Sequence, residues 1–441
     1  MSERAATAAD QRASLWRATA APAPDCPALD AAADADVCIV GAGYTGLSCA
    51  LALAEQRTDV AVVEAGGIGQ GASGRNGGQV IPGLKQDPDE LLAMFGARTG
   101  ETMVALSAGA ADRVFALIER HRIDCGAHQG GWIQPAHTPA ALATIEQRAR
   151  AWQRRGAPVE LLDRALTEAA IGAPFYHGAW IDRRAGVVQP LSYVRGLARA
   201  AIAAGARIFV ESPALSVMRG GGGDGRWLVV TPRGQVAART VVLATDAYSG
   251  ELWPTLRRNY VGLNSVQIAT DPLPETLQRT ILPCRLPVSE TRKLLYYYRF
   301  DPDGRFVMGG RGNVDGTVPE HVFATLRTVA ERLFPPLEGI GWPYRWWGQV
   351  GLTRDWLPHL AEPAPGLWTA LGYCGRGVAM ATTMGQVLAN RVLGGALQRS
   401  DPALDYPAGP LEPWPLWQFR KPGVAATIGW FRLREALGIP A

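Results

Sequence analysis

A glycine-rich turn between a short apolar run and a helical pattern is the feature that most restricts how this chain folds. Residues 36–40 are typical of a buried strand, Gly41-Ala42-Gly43-Tyr44-Thr45-Gly46 follows, and residues 47–55 carry small and apolar side chains at helical spacing. A second strand at 60–63 ends at Glu64, 18 residues after Gly46. This order predicts a βαβ unit that binds a dinucleotide.

The residue types in this unit fit the chemistry of a dinucleotide. Gly41 permits the tight turn, Gly43 lets the backbone approach a pyrophosphate, and Gly46 lets the helix pack on the strand. The helix N-terminus offers N–H groups to the phosphates, and Glu64 would accept hydrogen bonds from ribose hydroxyls. The alternative is a similar turn with nothing bound, but the flanking strand, helix and acid favour the dinucleotide site.

Composition excludes several other classes of protein. The 441 residues allow one to three domains, and 47% hydrophobic with 19% charged residues fits neither a disordered chain nor a coiled coil. The formal charge is only +4 and lysine is scarce beside arginine, so we do not expect nucleic acid as a partner. The 51 glycines indicate many tight turns or close backbone approaches.

Cysteine spacing and hydropathy bear on the compartment. The six cysteines contain no CxxC pair, and the sequence contains neither a signal-peptide core nor an apolar run long enough to span a bilayer. We therefore predict a cytoplasmic protein. The aromatic and basic tail at 411–437 suggests a membrane-docking surface, but packing on the protein is the favoured interpretation, with its prolines breaking any helix before Val424.

The remaining pattern alternates helices and strands after an arm at 1–35 that has little regular structure and is anchored by Leu15 and Trp16. Helices are predicted at 88–122 (two in succession), 139–155, 190–204 and 378–393. Strands are predicted at 131–134, 207–210, 226–231, 235–237, 240–244, 294–300, 305–309 and 344–352, with a hairpin turn at 301–304.

A second glycine-rich loop follows the βαβ unit. Residues 69–78 contain five glycines together with Ser73, Arg75 and Asn76. After Glu64, this loop would lie at the carboxyl edge of the sheet, where its backbone can wrap a cofactor. A flexible surface loop is the alternative.

Several ordered motifs together give a more specific indication. They are residues 36–46, residues 71–79 (GASGRNGGQ), Trp346 with Gly348, residues 353–355 (TRD) with 357–359 (LPH), and residues 372–378 (GYCGRGV). This set resembles the FAD-dependent D-amino-acid-oxidase-like (DAO) superfamily, in particular its gamma-glutamylputrescine oxidoreductase branch. The likeness extends over residues 15–436.

The resemblance implies an α/β fold, with a Rossmann-like FAD-binding domain of the DAO type and a second domain whose antiparallel sheet roofs the flavin and binds the substrate. The expected limits are an arm at 1–35, an FAD-binding domain at 36–87, 181–255 and 345–400, a substrate domain at 88–180 and 256–344, and a C-terminal tail at 401–441 that packs on the protein.

The resemblance also implies an activity. An amine or amino acid, such as a polyamine or a gamma-glutamylputrescine-like compound, would transfer a hydride to flavin N5, and the imine would hydrolyse to an aldehyde or keto acid. The electron acceptor is open between O2 and a quinone or carrier protein. A non-catalytic FAD-binding module is a further alternative, whereas an NAD-dependent dehydrogenase leaves residues 372–378 unexplained.

Cofactor contacts are carried over by motif. Ala214 would meet the adenine, Thr353 would lie beside the ring, and the helix after Gly375 would face the pyrimidine end of the flavin. Asp246 departs from the asparagine or glycine usual in this branch. The full expected set is Gly41, Gly43, Tyr44, Thr45, Gly46, Glu64, Ala65, Gly71, Ala72, Ser73, Arg75, Asn76, Gly77, Gly78, Gln79, Ala214, Ala244, Thr245, Asp246, Thr353, Gly375, Arg376, Gly377 and Val378.

Two positions bear on how FAD is attached. Val350 stands where covalent members carry a cysteine, and no histidine occurs near Arg75, so we expect noncovalent FAD. The strand after the hairpin carries Phe306-Val307-Met308 where some oxidases place a lysine that assists oxygen, which leaves the oxidant open.

Substrate contacts are expected from the roof sheet, where arginines would bind a carboxylate and aromatic rings would surround an amine. Tyr296 and Tyr298 share one strand face and Tyr297 the other, so at least one of them packs in the core or at the surface. His359 is more often a structural histidine than a base. The candidates are Tyr298, Arg299, Arg311, Trp346, Trp347 and His359. No catalytic residue and no metal site is assigned.

Overall fold

Two eight-stranded sheets organise the chain, whose computed structural model describes residues 14–221, 225–314 and 316–436. The strands are β1 (Ala32–Val40), β2 (Val60–Val63), β3 (Gln79–Val80), β4 (Trp132–Pro135), β5 (Val159–Leu162), β6 (Ala179–Asp182), β7 (Gly186–Val187), β8 (Arg207–Phe209), β9 (Ser216–Arg219), β10 (Trp227–Val230), β11 (Gln235–Leu243), β12 (Val261–Pro272), β13 (Val288–Ser289), β14 (Tyr297–Phe300), β15 (Arg305–Arg311), β16 (Tyr344–Leu352), β17 (His359–Ala364) and β18 (Leu367–Leu371).

Twelve α-helices accompany these strands in the described residues, and six of them lie where the periodicity predicts a helix. The twelve are α1 (Leu15–Thr19), α2 (Tyr44–Ala54), α3 (Pro88–Ala108), α4 (Ala110–Arg120), α5 (Pro139–Gln153), α6 (Arg164–Ile171), α7 (Pro190–Ala203), α8 (Pro254–Arg257), α9 (Glu275–Thr280), α10 (Glu320–Leu333), α11 (Gly377–Val392) and α12 (Arg420–Ala436). No helix in the described ranges is long and apolar enough to cross a membrane.

The first sheet has the predicted α/β character. Its path is β17-β18-β11-β1-β2-β8, with β10 paired to β11 and to β9. Strand β1 pairs in parallel with both β2 and β11, and all four residues of β2 are buried, as expected for a strand covered on both faces. The carboxyl ends of β1, β2 and β11 therefore meet at one edge, where Gly41, Glu64 and Ala244 follow them directly.

The second sheet is antiparallel apart from the parallel pair β13 and β4, and its path is β16-β12-β15-β14-β13-β4-β6-β5. The predicted hairpin joins β14 to β15, with Gly304 at a φ of 82°. Helix α10 packs on β12 and β15 over a core that includes Tyr298, Phe306 and Phe334. The fold class predicted from the resemblance, a parallel-sheet domain with a second antiparallel-sheet domain, is confirmed.

The expected domain limits do not coincide with the sheets at every point. Strand β16 was expected in the FAD-binding segment 345–400, yet over its whole length it pairs with β12 of the second sheet. By its backbone hydrogen bonds, Tyr344–Leu352 is a strand of the second sheet. The chain returns to the first sheet at β17. The division into domains otherwise stays a prediction.

Two strand predictions were wrong in extent. Strand β1 begins at Ala32 rather than Asp36 because Ala32–Ala35 pair with Gln235–Ala238. The segments predicted at 235–237 and 240–244 form one strand, β11, because β10 pairs with its first half and β18 with its second. The exposed Arg239 between the two halves interrupted the apolar pattern.

The N-terminal arm is anchored as predicted, since Leu15 and Trp16 are completely buried. Both residues belong to a short helix.

At the C-terminal end, the predicted break before Val424 is wrong. Helix α12 begins at Arg420 and contains Pro422 in its first turn, where a missing N–H costs nothing. Ile428 of α12 is buried, but Phe419 and Trp430 are 66% and 56% exposed. Residues 1–13 and 437–441 lie outside the described residues.

Candidate cofactor and substrate cavity

A single cavity of about 1030 Å³ extends from the carboxyl edge of the first sheet to the face of the second. Its walls come from the turns after β1, β2 and β11, from the N-terminus of α11, and from β12, β14, β15 and β16. All expected cofactor-binding residues line it except Gly46, Gly78 and Thr353. These sequence motifs, scattered over more than 300 residues of chain, therefore converge on one site.

The first turn has the close contacts that require glycine. Gly41 has a φ of 109°, and a Cβ there would lie 2.9 Å from the Ala244 carbonyl oxygen of the neighbouring strand end. A Cβ on Gly46 would lie 1.9 Å from the Gly41 carbonyl oxygen, so Gly46 lies behind the turn and allows α2 to begin directly at the cavity. Gly46 therefore shapes the cradle without lining it.

Glu64 stands at the end of β2 and is held by backbone amides. Its Oε2 accepts from the Ala42 N–H at 2.7 Å and its Oε1 from the Gly66 N–H at 3.1 Å. Burial raises the pKa of this carboxyl, and these amide donors partly oppose the effect. The carboxylate thus joins the first turn to the end of β2 at the cavity wall, the position expected for a ribose acceptor.

The second glycine-rich loop is folded against the first turn rather than being a loose surface segment. Ser73 Oγ accepts from the Tyr44 N–H at 2.9 Å at the start of α2. The Asn76 side-chain amide donates to Ala72 and Ser73 carbonyl oxygens, and its Oδ1 accepts from the Gly78 N–H at 2.8 Å. Asn76 therefore fixes the conformation of the loop. Gly78, which has a φ of 66°, does not line the cavity.

Asp246, the departure from the usual residue, has a structural explanation. Its φ is 37°, a left-handed conformation in which asparagine and glycine are favoured and aspartate is tolerated. Its Oδ1 accepts from the Gly372 N–H at 2.7 Å, and the Ala247 and Gly351 amides also donate to the carboxylate. Burial raises the pKa of Asp246, and its carboxyl joins the end of β11, β16 and the turn before α11.

The N-terminus of α11 opens onto the cavity through Gly375, Arg376, Gly377 and Val378. The unpaired amides of a helix start give this part of the wall a partial positive charge. Thr353 does not line the wall, contrary to expectation. Its hydroxyl donates to the Leu357 carbonyl at 2.8 Å and contacts Cys374 Sγ at 3.3 Å, so it lies behind Cys374.

The end of the cavity beneath the second sheet is both aromatic and cationic. Trp132, Tyr297, Lys85, Arg311 and Glu290 line it. The Tyr297 hydroxyl is 2.8 Å from Ser265 Oγ, and burial raises the pKa of this phenol to about 12. Glu290 is buried against Arg292 and the Tyr176 hydroxyl, so it is already paired.

Of the substrate candidates, Arg311 lines this cavity and the other five do not. Tyr298 is in the core of the second sheet, where its hydroxyl is 3.0 Å from that of Tyr176. Arg299 is buried over the Trp16 ring and donates to the Val188 carbonyl at 2.9 Å. Neither side chain is available to a ligand.

The remaining three candidates have structural contacts. Trp346 packs edge-on against Trp16 and donates to the Arg75 carbonyl, and Trp347 packs against Phe323. His359 Nε2 is 3.0 Å from Asp355 Oδ1, which agrees with the structural interpretation of this histidine. The positions of these three residues in their strands determined their contacts, which the residue types alone did not predict.

Lys85, Trp132 and Glu290 are among the lining residues that the sequence interpretation missed. Glu290 and Trp132 come from short strands or their ends, where no motif marks them. One signal was available for Lys85, since it is one of only three lysines in a chain whose basic residues number 44.

The described residues fit an FAD molecule. The turns that would face pyrophosphate are glycine-lined, and Glu64 and Ala214 line the cavity where a ribose and an adenine would lie. A cavity of about 1030 Å³ exceeds what a small substrate alone would fill. Fold and site together define a dinucleotide-binding α/β protein whose cavity continues under an antiparallel roof.

Comparison with known proteins identifies the family. Residues 36–391 match the model of the DAO family, described as FAD dependent oxidoreductase. The chain belongs to this family and is an oxidoreductase. It is 32% identical over 406 residues to gamma-glutamylputrescine oxidoreductase of Escherichia coli K12, covering 92% of this chain and 93% of that protein.

Two further similarities agree with this assignment. A protein of Haemophilus influenzae named probable oxidoreductase OrdL is 31% identical over 373 residues, covering 83% of this chain and 85% of its own. The crystal structure of glycine oxidase from Geobacillus kaustophilus matches the fold with a TM-score of 0.68 at 24% identity, covering 82% of this chain and 95% of that one.

Proposed function

We propose that this protein binds FAD noncovalently and oxidises an amine that also carries a carboxylate, of the gamma-glutamylputrescine type. The observation that carries the proposal is the continuity of one cavity from the glycine-lined cradle to the chamber bounded by Trp132, Tyr297 and Arg311. Similarity to gamma-glutamylputrescine oxidoreductase over 92% of the chain supports the substrate class.

The residues of the first sheet would bind and orient the cofactor. The start of α2 would hold the pyrophosphate, Glu64 the ribose and Ala214 the adenine, while the start of α11 would face the flavin ring. Bound FAD would accept the hydride that the amine loses. The resulting imine would then hydrolyse to an aldehyde or keto acid.

The residues of the second sheet would bind the substrate. Arg311 is half-buried, and no described residue forms an ion pair with it, so a substrate carboxylate would supply the missing counter-charge. Trp132 and Tyr297 would enclose the aliphatic chain and exclude water from the reacting amine.

The test is anaerobic reduction of the flavin by a set of amines. Gamma-glutamylputrescine should bleach the flavin absorbance more efficiently than putrescine, which lacks the carboxylate, and Arg311→Met should lose this difference. Glycine and larger L-amino acids test the amino-acid alternative. If no amine bleaches the flavin of the wild-type protein, the proposed function is wrong. Peroxide release on re-aeration distinguishes O2 from another acceptor.

Noncovalent attachment has its own support. Val350 lines the cavity where covalent members carry a cysteine. The lining cysteine, Cys374, contacts Thr353 Oγ1, and burial raises the pKa of its thiol to about 11, so it stays protonated and unreactive. Acid precipitation should release all flavin into the supernatant, and flavin that remains with the chain would contradict the proposal.

We also infer a reducing compartment, which favours the cytoplasm. All six cysteines are free, and Cys38, Cys49, Cys125 and Cys374 are buried. Thiols in this number persist without pairing where the cell keeps them reduced.

A further inference from the structure

Three basic side chains face the substrate end of the cavity. Lys85, Arg311 and Arg376 all line it. Within the described residues none of these side chains forms an ion pair or a hydrogen bond, although Arg376 lies over the Trp132 ring at 5.1 Å. Arginine stays charged in such surroundings, whereas lysine can lose its proton.

Lys85 is held in place by the turn between β3 and α3. The Gly83 N–H donates to the Ser107 carbonyl at 2.8 Å, and the Gln86 side chain donates to the Asp355 carbonyl at 2.6 Å. The turn is thereby tied to α3 on one side and to the segment before β17 on the other, and Lys85 between these contacts lines the cavity.

The surroundings of Lys85 favour its neutral form. Burial lowers its pKa well below the ordinary value, and the charges of Arg376, Arg311 and Arg148 lower it further. Cys374 would oppose this effect if ionised, but burial keeps its thiol protonated, and the Glu290 carboxylate is already paired with Arg292. The groups facing Lys85 from β15, α5 and the turn before α11 therefore favour the neutral form of this amine at the cavity wall.

The choice of lysine at this position is informative. The chain has three lysines, Lys85, Lys293 and Lys421, among 44 basic residues, so arginine is its default cation. Lys293 and Lys421 are exposed. The one lysine at the cavity is thus a group whose proton can be exchanged, in a wall where arginine supplies the permanent charge.

We propose that Lys85 is a catalytic residue that accepts the proton which the substrate's ammonium group loses on binding. This proposal rests on the proposed oxidation of an amine. One N–H bond of the ammonium breaks, one N–H bond forms on Lys85 Nζ, and no electron is transferred. The free amine then has the lone pair that hydride loss requires, and Lys85 returns its proton to solvent after product release.

The charges of the chamber lower the basicity of both amines, that of the substrate and that of Lys85. An ammonium group beside Arg311 and Arg376 is disfavoured, because like charges in a buried site repel. Transfer to Lys85 leaves the substrate nitrogen neutral at the reacting position, and the new charge moves to a side chain on the wall. A substrate carboxylate near Arg311 would offset that charge.

The first experiment measures the protonation of Lys85 without any substrate. The FAD-loaded protein is treated with a trace of acetic anhydride across a pH series, and mass spectrometry reads the acetylation of each lysine as a fraction of its own plateau. At neutral pH, the acetylation of Lys85, as a fraction of its own plateau, should be at least about tenfold higher than that of Lys293 or Lys421. If Lys85 titrates together with these two exposed lysines, the proposal is overturned.

The second experiment compares Lys85→Met and Lys85→Arg with the control Lys293→Met, using an amine that reduces the wild-type flavin. Both Lys85 variants should keep their FAD, but reduction should fall about tenfold per pH unit below the amine's own pKa, because only free amine can then react. Added imidazole should restore part of the rate. If the rate of flavin reduction in Lys85→Met depends on pH on the acid side in the same way as in the wild-type protein, the proposal is overturned.

The outcomes separate this proposal from the function on which it rests. Should no amine reduce the wild-type flavin, the proposed function and the role of Lys85 both fall. Should amines reduce the wild-type protein while Lys85 titrates as an ordinary lysine, the function stands and only the role of Lys85 falls. Should Lys85→Met not fold, the acetylation result decides.

Discussion

Gly43 lies where the first turn contacts the second glycine-rich loop. A Cβ on this residue would lie 2.9 Å from Ser73 Oγ, the atom that accepts from the Tyr44 N–H. A side chain here would push Ser73 away and occupy the approach to the cofactor phosphates.

Gly43→Val should therefore yield folded protein that retains little FAD. The measurement is the ratio of flavin to protein absorbance after gel filtration. Gly67→Val is the matched control, since a Cβ at Gly67 has no neighbour within 4 Å, and it should keep full occupancy. Full FAD occupancy in soluble Gly43→Val protein would refute the assignment of this turn.

At the scale of the elements, helix α11 contains two glycines with different structural roles. Gly377 at its start lines the cavity, and a Cβ there would meet only Tyr373 Cβ, at 3.9 Å. Gly385, two turns later, packs on α2, where a Cβ would lie 2.5 Å from the Thr45 carbonyl oxygen and 2.7 Å from Ser48 Cβ. The helix thus forms part of the site with one glycine and packs against the neighbouring helix with the other.

Gly377→Leu should fold normally but bind FAD more weakly, because the new side chain extends into the cavity while the packing of α11 is unchanged. Thermal unfolding of the FAD-free protein should be within about 1 °C of wild type, whereas retained flavin should fall several-fold, as expected for a substitution outside the core. Normal FAD content and an unaltered flavin potential would place this helix away from the ring.

Gly385→Leu should instead destabilise the fold itself. Overpacking between α11 and α2 costs about 1–3 kcal/mol or more, since the clash is with backbone that cannot move independently. The measurement is the urea midpoint of the FAD-free protein, with Gly429→Leu in α12 as control because a Cβ at Gly429 has no neighbour within 4 Å. A wild-type midpoint for Gly385→Leu would contradict this close helix contact.

At the scale of the whole molecule, Trp16 joins parts that are distant in sequence. Its Nε1 donates to the Asn76 carbonyl at 2.7 Å, and its own carbonyl accepts from Gln189 Nε2 at 2.8 Å. Its ring packs edge-on against Trp346, with centroids 5.6 Å apart. One short N-terminal helix therefore connects the glycine-rich loop of the first sheet to the roof.

Trp16→Ala should lower the free energy of unfolding by about 3–5 kcal/mol, the usual effect of removing a fully buried large aromatic residue. It should also raise the rate of FAD loss, because Asn76 and its loop lose a contact. Trp430→Ala is the control, since Trp430 is 56% exposed and its removal should change neither quantity. Equal midpoints for the two variants in urea would show that the N-terminal segment does not hold the sheets together.

Local sequence determined the cofactor half of this protein. Glycines with a required φ or a required close approach, and a strand, turn and helix within about 30 residues, are dictated by short-range sterics, so Gly41, Gly46 and Glu64 could be assigned without a structure. The resemblance added the distant segments at Ala214, Ala244 and Gly375, which the fold then brought to the same edge.

The substrate half was decided by tertiary structure. Strand periodicity showed that Tyr297 and Tyr298 face opposite ways, but only the packing of α10 on the second sheet determined that Tyr298 is in the core and Tyr297 faces the cavity. Lys85 became a candidate only when β15, α5 and the turn before α11 brought three arginines near it. The burial and the electrostatic surroundings of such a residue depend on residues that are far apart in sequence, so the local sequence pattern does not predict them.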